Sequence, residues 1–158
     1  AKLYTHAPLH IPVEVVHGRQ PGPVLLVCGA IHGDEINGVE IVRRLLKSSS
    51  LARLRGTLIA VPIVNVFGFV QHTRYLPDRR DLNRCFPGSE SGSLGSRVAA
   101  LFREEIADQA THIIDLHTGA IHRTNLPQIR ATMSGSDATR WAATRRFQNE
   151  ASMRTGSE

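Results

Sequence analysis

The chain has 158 residues, the length of one domain, and 41% of them are hydrophobic and 21% charged, as in ordinary globular proteins. Its net charge of +5 comes from arginine, with 17 Arg against 2 Lys, but these arginines are scattered and only 8 residues are aromatic. This pattern argues against a nucleic-acid-binding protein. The longest apolar run, residues 23–31, is far shorter than the ~20 residues that cross a membrane, so no membrane contact is expected.

The cysteines and the N-terminus indicate the cellular environment. Cys28 and Cys85 form neither a CxxC pair nor a disulfide framework. Cys28 lies in an apolar segment, where a buried free thiol is expected. The first 15 residues contain no apolar core of a signal peptide. The sequence therefore predicts a reduced, cytoplasmic protein.

The first half of the chain contains two predicted strands and one helix. Residues 10–18 alternate between apolar and polar side chains, which predicts an edge or hairpin strand, and residues 19–23 predict a turn. Residues 24–30 are continuously apolar, as in a strand buried on both faces. Apolar residues then recur at helical spacing over residues 36–46, and residues 47–50 end that helix.

The second half contains another strand, a long loop, a helix and a last strand. Residues 56–69 predict a strand and its exit, with Pro62 arguing against an uninterrupted ladder. Residues 71–93 form a polar loop of a length that is usually functional or disordered. Helical spacing of apolar residues marks residues 94–106, and residues 111–119 predict the third apolar strand.

This order of strands and helices predicts an α/β fold whose sheet contains parallel crossovers. In such sheets, ligands bind beyond the carboxyl ends of the strands. His32 follows the first buried strand, and His117 lies at the end of the last one. We therefore expect both histidines to face the same crevice.

The segment around His32 carries the pattern of half a metal site. His32 and Glu35 are three residues apart in a turn that enters a helix, where Cβ atoms lie ~5–6 Å apart and both side chains can reach one ion. With His117 they form a His₂Glu set with an open fourth position, the arrangement of catalytic zinc. The alternative is a loop histidine hydrogen-bonded to Asp34 or Glu35, and spacing alone leaves both open. Asp115 is a candidate to orient a ligand histidine, with an ordinary capping or core hydrogen bond as its alternative.

Three motifs together resemble the succinylglutamate desuccinylase/aspartoacylase family, a branch of the zinc carboxypeptidase fold: GAIHGDEINGVE (29–40), RYLPDRRDLNRCFPG (74–88) and IIDLHTG (113–119). The resemblance covers about residues 24–130. It implies a zinc carboxypeptidase-like α/β fold with a mixed, largely parallel sheet flanked by helices. It also implies that one zinc ion per chain is bound by His32, Glu35 and His117.

The resemblance assigns roles within the long loop as well. It implies that Arg74 polarises the scissile carbonyl and that Asn83 and Arg84 bind a carboxylate of the substrate. A guanidinium suits these roles, since it pairs with carboxylates through two parallel hydrogen bonds and stabilises a developing oxyanion. Arg79 and Arg80 are expected to be solvated. The implied reaction is zinc-dependent hydrolysis of the amide bond of an N-acyl amino acid, with a metal-bound water as nucleophile.

One part of the family's machinery is missing from the sequence. Family members use a glutamate as general base, on a strand well beyond the third zinc ligand. Three acidic residues follow His117 here, and none lies in an apolar strand: Asp137, Glu150 and Glu158. We therefore expect an incomplete zinc-binding α/β deacylase domain over residues 1–130 and an atypical tail over residues 131–158.

Three functions stay open at this point. The first is a zinc-dependent deacylase, whose partner is a small-molecule N-acyl amino acid. The second is a zinc carboxypeptidase-like peptidase, and the third is a non-catalytic metal-binding fragment that lacks the general-base glutamate. The oligomeric state is left open, with a homo-oligomer as one outcome.

Overall fold

The computed structural model describes residues 9–130, and a four-stranded sheet organises them. The strands are β1 (Glu14–His17), β2 (Gln20–Gly29), β3 (Arg55–Val61) and β4 (His112–Leu116). Their order across the sheet is β1-β3-β2-β4, with β2 parallel to both of its neighbours and β1 antiparallel to β3. The predicted α/β class and the mixed, largely parallel sheet are confirmed.

Helices pack on both faces of this sheet. Successive side chains of β2 point to opposite faces, so Leu26 shares a core cluster with Phe102, while Val27 shares another with Val42. Phe102 belongs to α3 and Val42 to α1. The helices are α1 (Asn37–Leu46), α2 (Val66–Gln71) and α3 (Leu94–Glu105), with short 3₁₀ helices at Ser49–Arg53, Leu82–Arg84 and Ala107–Gln109.

The turn predicted for residues 19–23 is wrong. Strand β2 already begins at Gln20, and its pairing with β3 shifts register between Gln20 and Val24. The two prolines of this segment therefore lie where the ladder is irregular and does not need the N–H groups that they lack. Pairing with β3 has overridden the local preference of Pro and Gly for a turn.

The segment predicted as a strand and its exit divides into a strand and a helix. Strand β3 ends at Val61, directly before Pro62, as the missing N–H of proline requires. The sequence did not predict the helix that follows, α2. Its N-cap is Asn65, whose side-chain oxygen accepts a hydrogen bond from the Gly68 N–H at 2.8 Å.

Strand β4 is shorter and less buried than its apolar sequence predicts. Ile113 and Ile114 are 55% and 47% exposed, because β2 is the one neighbour of β4 among the strands of the described chain. The strand ends at Leu116. His117 therefore lies just beyond the ladder, at its carboxyl end.

The chain divides into two compact units, Ala1–Arg123 and Thr124–Glu158. All the elements named above belong to the first unit. Of the second, the structure describes residues 124–130, which contain no helix or strand. The predicted tail, residues 131–158, lies outside the described residues, so its boundary stays a prediction. No helix in the described part of the chain is long and apolar enough to cross a membrane.

Candidate metal centre

The turn that carries His32 is fixed at the carboxyl end of β2. The carbonyl oxygen of Ala30 accepts a hydrogen bond from the Asn65 N–H at 3.0 Å, which joins the exits of β2 and β3. The chain then turns tightly, and the Glu35 N–H donates to the carbonyl oxygen of His32 at 3.1 Å. This local geometry places the side chains of His32 and Glu35 side by side.

Gly33 lies inside this turn and has no room for a side chain, because a Cβ there would overlap the backbone of Gly68 and Phe69 in α2. We expect Gly33→Ala to lower the free energy of unfolding by about 1–3 kcal/mol, since the turn or α2 must move. Urea unfolding followed by circular dichroism measures the loss. An unchanged urea midpoint would contradict the close packing of the turn on α2.

Three side chains meet above this edge of the sheet. Glu35 lies between two histidines, with its Oε1 2.9 Å from His32 Nδ1 and its Oε2 2.9 Å from His117 Nδ1. One ligand atom of each residue lies within 4.8 Å of the other two. His32 and Glu35 are 2% and 3% exposed, whereas the side chain of His117 is 35% exposed. The cluster is therefore open to solvent on the His117 side.

Both histidines hold their outer ring nitrogen against a carboxylate. His32 Nε2 donates to Asp81 Oδ1 at 3.0 Å, and His117 Nε2 donates to Asp115 Oδ2 at 2.7 Å. Each Nδ1 faces the carboxylate of Glu35, so both ring nitrogens of each histidine lie at hydrogen-bond distance from a carboxylate. Histidine commonly binds metals in this way, with a carboxylate orienting the ring through the second nitrogen. The donor set therefore fits a zinc ion.

Sequence reasoning anticipated one of these two carboxylates. Asp115 contacts His117 Nε2, as an orienting role would require. Asp81 was not recognised as a partner of His32, which lies 49 residues earlier in the chain. The one feature of the sequence that points to Asp81 is its position directly before Leu82-Asn83-Arg84.

Hydrogen bonds within the cluster shift the pKa values of Glu35 and His117. Burial raises the pKa of Glu35, but the hydrogen bonds from His117, His32 and the Thr118 N–H outweigh burial and hold that pKa well below its ordinary value. The hydrogen bonds to Asp115 and then to Glu35 raise the pKa of His117 to about 10. In the metal-free protein, His117 is therefore protonated at neutral pH.

Zinc binding is expected to release this proton, because a metal binds neutral imidazole. The affinity for zinc should then rise with pH, by up to about tenfold per unit, below the His117 pKa of about 10. Titration calorimetry in two buffers of different protonation enthalpy counts the protons released. A zinc affinity that does not change between about pH 6 and 8 would contradict this linkage.

Arg74 reaches the cluster from the long loop. Its Nη1 donates to Glu35 Oε1 at 3.2 Å and its Nη2 to Asp81 Oδ2 at 3.0 Å. Its side chain is 31% exposed, so the charge adjoins the cluster and stays accessible to a ligand. Arg80, by contrast, is 61% exposed and lies 3.8 Å from Asp78, as expected for a solvated residue.

Asn83 and Arg84 lie on the short helix Leu82–Arg84. Asp81 caps this helix by accepting a hydrogen bond from the Asn83 N–H at 3.0 Å. Within the region that the structure describes, the side chains of Asn83 and Arg84 form no hydrogen bond or ion pair with the His32–Glu35–His117 cluster. Their assignment to substrate binding stays a prediction.

An open cleft of about 440 Å³ adjoins the cluster. Arg74 lines this cleft and also contacts Glu35, whereas none of His32, Glu35 and His117 is among the lining residues. Tyr75 and Arg123 were not identified from the sequence, and no spacing pointed to them. The residues that line the cleft are Asp34, Arg74, Tyr75, Ala120, Ile121 and Arg123.

The glutamate that the family resemblance implies as general base is not found among residues 9–130. Glu35 is the one glutamate there that contacts either histidine of the cluster, and both of its oxygens are engaged. The three acidic residues that follow His117 in the sequence lie outside the described residues: Asp137, Glu150 and Glu158.

Comparison with known proteins identifies the family. Residues 21–158 match the succinylglutamate desuccinylase/aspartoacylase catalytic domain. The chain belongs to this family. The resemblance predicted from three short motifs is therefore confirmed, and so is the zinc carboxypeptidase-like fold, which the succinylglutamate desuccinylase/aspartoacylase structures below share.

The chain is also similar to a deacetylase and to solved structures. Over 110 residues the chain is 34% identical to N-alpha-acetyl-L-2,4-diaminobutyric acid deacetylase of Halomonas elongata. The alignment covers 69% of this chain and 32% of the relative. The structure of succinylglutamate desuccinylase/aspartoacylase from Rhodobacter sphaeroides is 33% identical, with a TM-score of 0.67 over 73% of this chain and 35% of that one. The product-bound ectoine utilization protein EutE (DoeB) from Ruegeria pomeroyi is 32% identical, with a TM-score of 0.67. The match covers 75% of this chain and 37% of that one. The chain thus spans about a third of the length of these relatives.

Proposed function

We propose that this chain is the metal-binding part of a zinc-dependent hydrolase that cleaves the amide bond of an N-acyl amino acid. The observation that carries the proposal is the cluster of His32, Glu35 and His117, in which both Nδ1 atoms face Glu35 and both Nε2 atoms are held by carboxylates. Similarity to a deacetylase of N-alpha-acetyl-L-2,4-diaminobutyric acid supports this substrate class.

The residues around the cluster suit this reaction. Zinc bound there would supply a water activated for attack near neutral pH and would polarise the substrate carbonyl. Arg74 holds a positive charge beside Glu35, where it can stabilise a developing oxyanion. Asn83 and Arg84 are proposed to bind the substrate carboxylate, and Arg123 in the cleft offers a further guanidinium for an anionic group.

A non-catalytic metal-binding protein is the second candidate. The observation that favours it is that, among residues 9–130, no glutamate other than Glu35 contacts either histidine of the cluster. Hydrolysis needs a group that takes a proton from water and returns it to the leaving amine. A peptidase would need the same group, so the general base does not distinguish a peptidase from a deacylase. The two are distinguished by whether the protein cleaves peptides or N-acyl amino acids.

Hydrolysis assays of the zinc-reconstituted protein separate these functions. N-acetyl and N-succinyl amino acids are compared with unmodified peptides, before and after the metal is removed by a chelator. Zinc-dependent release of an amino acid from the acylated substrates supports the deacylase, and cleavage of peptides alone indicates a peptidase. Zinc binding without hydrolysis above the metal-free background would overturn the proposal that the protein is a hydrolase and would support the non-catalytic metal-binding protein. A cytoplasmic location and a homo-oligomer stay predictions.

A further inference from the structure

We propose that Asp34 is a specificity-determining residue that selects N-acyl amino acids with an ammonium group in their side chain. Asp34 lines the open cleft of about 440 Å³, together with Arg74 and Arg123. It directly precedes Glu35 in the turn after β2, and Arg74 connects the cleft with Glu35 at 3.2 Å. The inference rests on the proposed function, because it names the substrate class of the same reaction.

The carboxylate of Asp34 has unused capacity to accept hydrogen bonds. Its Oδ2 accepts one from the Ile121 N–H at 3.3 Å. Its Oδ1 is buried and has no hydrogen-bond partner among residues 9–130. The two oxygens of a carboxylate together accept about four hydrogen bonds, and a buried acceptor without a partner costs free energy. A donor on a molecule in the cleft would therefore stabilise Asp34.

This carboxylate lies where such a donor can reach it. Asp34 and Ile121 both line the cleft, so the hydrogen bond that joins them lies at the cleft wall. Rotation about the Cβ–Cγ bond exchanges the two oxygens, and this torsion is soft in aspartate. Either oxygen can therefore keep the backbone hydrogen bond while the other one accepts from a ligand.

The charge of Asp34 favours a cationic donor. Arg74 directs its guanidinium to Glu35 and Asp81, at 3.2 Å and 3.0 Å. Within the described chain, neither Arg74 nor Arg123 forms an ion pair with Asp34, although all three line one cleft. A partly buried charge without a counter-ion is unfavourable, and charge-assisted hydrogen bonds are stronger than neutral ones. An ammonium group is therefore the donor that suits Asp34 best.

The cleft as a whole matches a ligand with both charges. An N-acyl diamino acid carries one ammonium and one carboxylate, which complement Asp34 and the guanidinium of Arg123 in the same cleft. An N-acyl acidic amino acid carries carboxylates alone. It would leave Asp34 without a partner and would be repelled by its charge.

Paired substrates test this role. Nα-acetyl-L-ornithine and Nα-acetyl-L-norvaline differ in the terminal ammonium of the side chain, and the lysine and norleucine derivatives form a longer pair. In at least one pair, the zinc-loaded wild type should favour the cationic member by about 10–100-fold in kcat/KM. Asp34→Asn keeps the size of the side chain and removes its charge, so it should lower this ratio by about tenfold or more. Both substrates are compared in one variant, so a change in zinc content cancels from the ratio.

Asp78→Asn is the matched control. Asp78 accepts a hydrogen bond from the Gly95 N–H at 3.0 Å and does not line the cleft, so this variant should keep the wild-type ratio. An equal fall of the ratio in Asp78→Asn would overturn the role of Asp34.

Three further outcomes separate this role from the proposed function. An unchanged ratio in Asp34→Asn, or a wild type that prefers the neutral member of each pair or Nα-acetyl-L-glutamate, would overturn the role of Asp34 and leave the proposed function intact. Hydrolysis of none of these substrates would overturn the proposed function. Calorimetric binding of L-ornithine and L-norvaline would then test Asp34 separately, and equal affinities would overturn its role.

Discussion

A His117→Ala variant is expected to lose its zinc while keeping its fold. His117 supplies one of three ligand atoms that lie within 4.8 Å of one another, and catalytic zinc sites need three protein ligands. Its side chain is 35% exposed, so truncation leaves little buried space and should change stability little. The wild type should retain about one zinc per chain after dialysis, and the variant less than about a tenth of a zinc per chain. Loss of a residue that hydrogen-bonds a metal ligand lowers zinc affinity by roughly 10–100-fold, and loss of the ligand itself should lower it further.

Atomic emission measurements of zinc content check this result, with thermal unfolding of both metal-free proteins as the test of folding. His122→Ala is the matched control, since His122 is also exposed and lies outside the cluster. It should retain zinc like the wild type. Full zinc occupancy in His117→Ala, or no zinc in the wild type after reconstitution, would rule out the proposed ligand set.

The second large effect is expected at Arg74, in the proposed hydrolysis. An Arg74→Ala variant should keep its zinc, because Arg74 is not one of the three ligands, and should lose about 10²–10³-fold in kcat. Arg74 holds its charge between Glu35 and Asp81, 3.2 Å and 3.0 Å away, where the oxygen of a polarised carbonyl would gain negative charge. Steady-state kinetics with an N-acyl amino acid measures the loss in kcat, and zinc content shows whether the variant still binds its metal.

Arg80→Ala provides the comparison within the same loop. Arg80 is 61% exposed and pairs weakly with Asp78, so its loss should change kcat by no more than about twofold. Arg74→Lys is expected to recover little of the activity, because an ammonium cannot reproduce the fork that a guanidinium presents to two carboxylates. An Arg74→Ala variant with unchanged kcat, or one whose activity falls only in proportion to lost zinc, would contradict a catalytic role.

The fold was largely predictable because burial leaves a clear pattern in the sequence. The continuous apolar run at residues 24–30 corresponds to β2, which has a neighbouring strand on each side, and the helical spacing at residues 36–46 corresponds to α1. Predictions were wrong where pairing overrides local preference, as at residues 19–23, which join β2 rather than form a turn. The exposure of Ile113 and Ile114 could not be predicted, since it depends on the position of β4 in the order of strands.

The sequence by itself determined the family, through three motifs, and the pairing of His32 with Glu35. That pair is three residues apart, so the geometry of one turn brings the two side chains together. Only the tertiary structure decided what surrounds the pair. The contact of Glu35 with His117 spans 82 residues, and that of His32 with Asp81 spans 49. Contacts of this kind depend on β2 lying beside both β3 and β4 and on the long loop folding back over their ends, which no local spacing records.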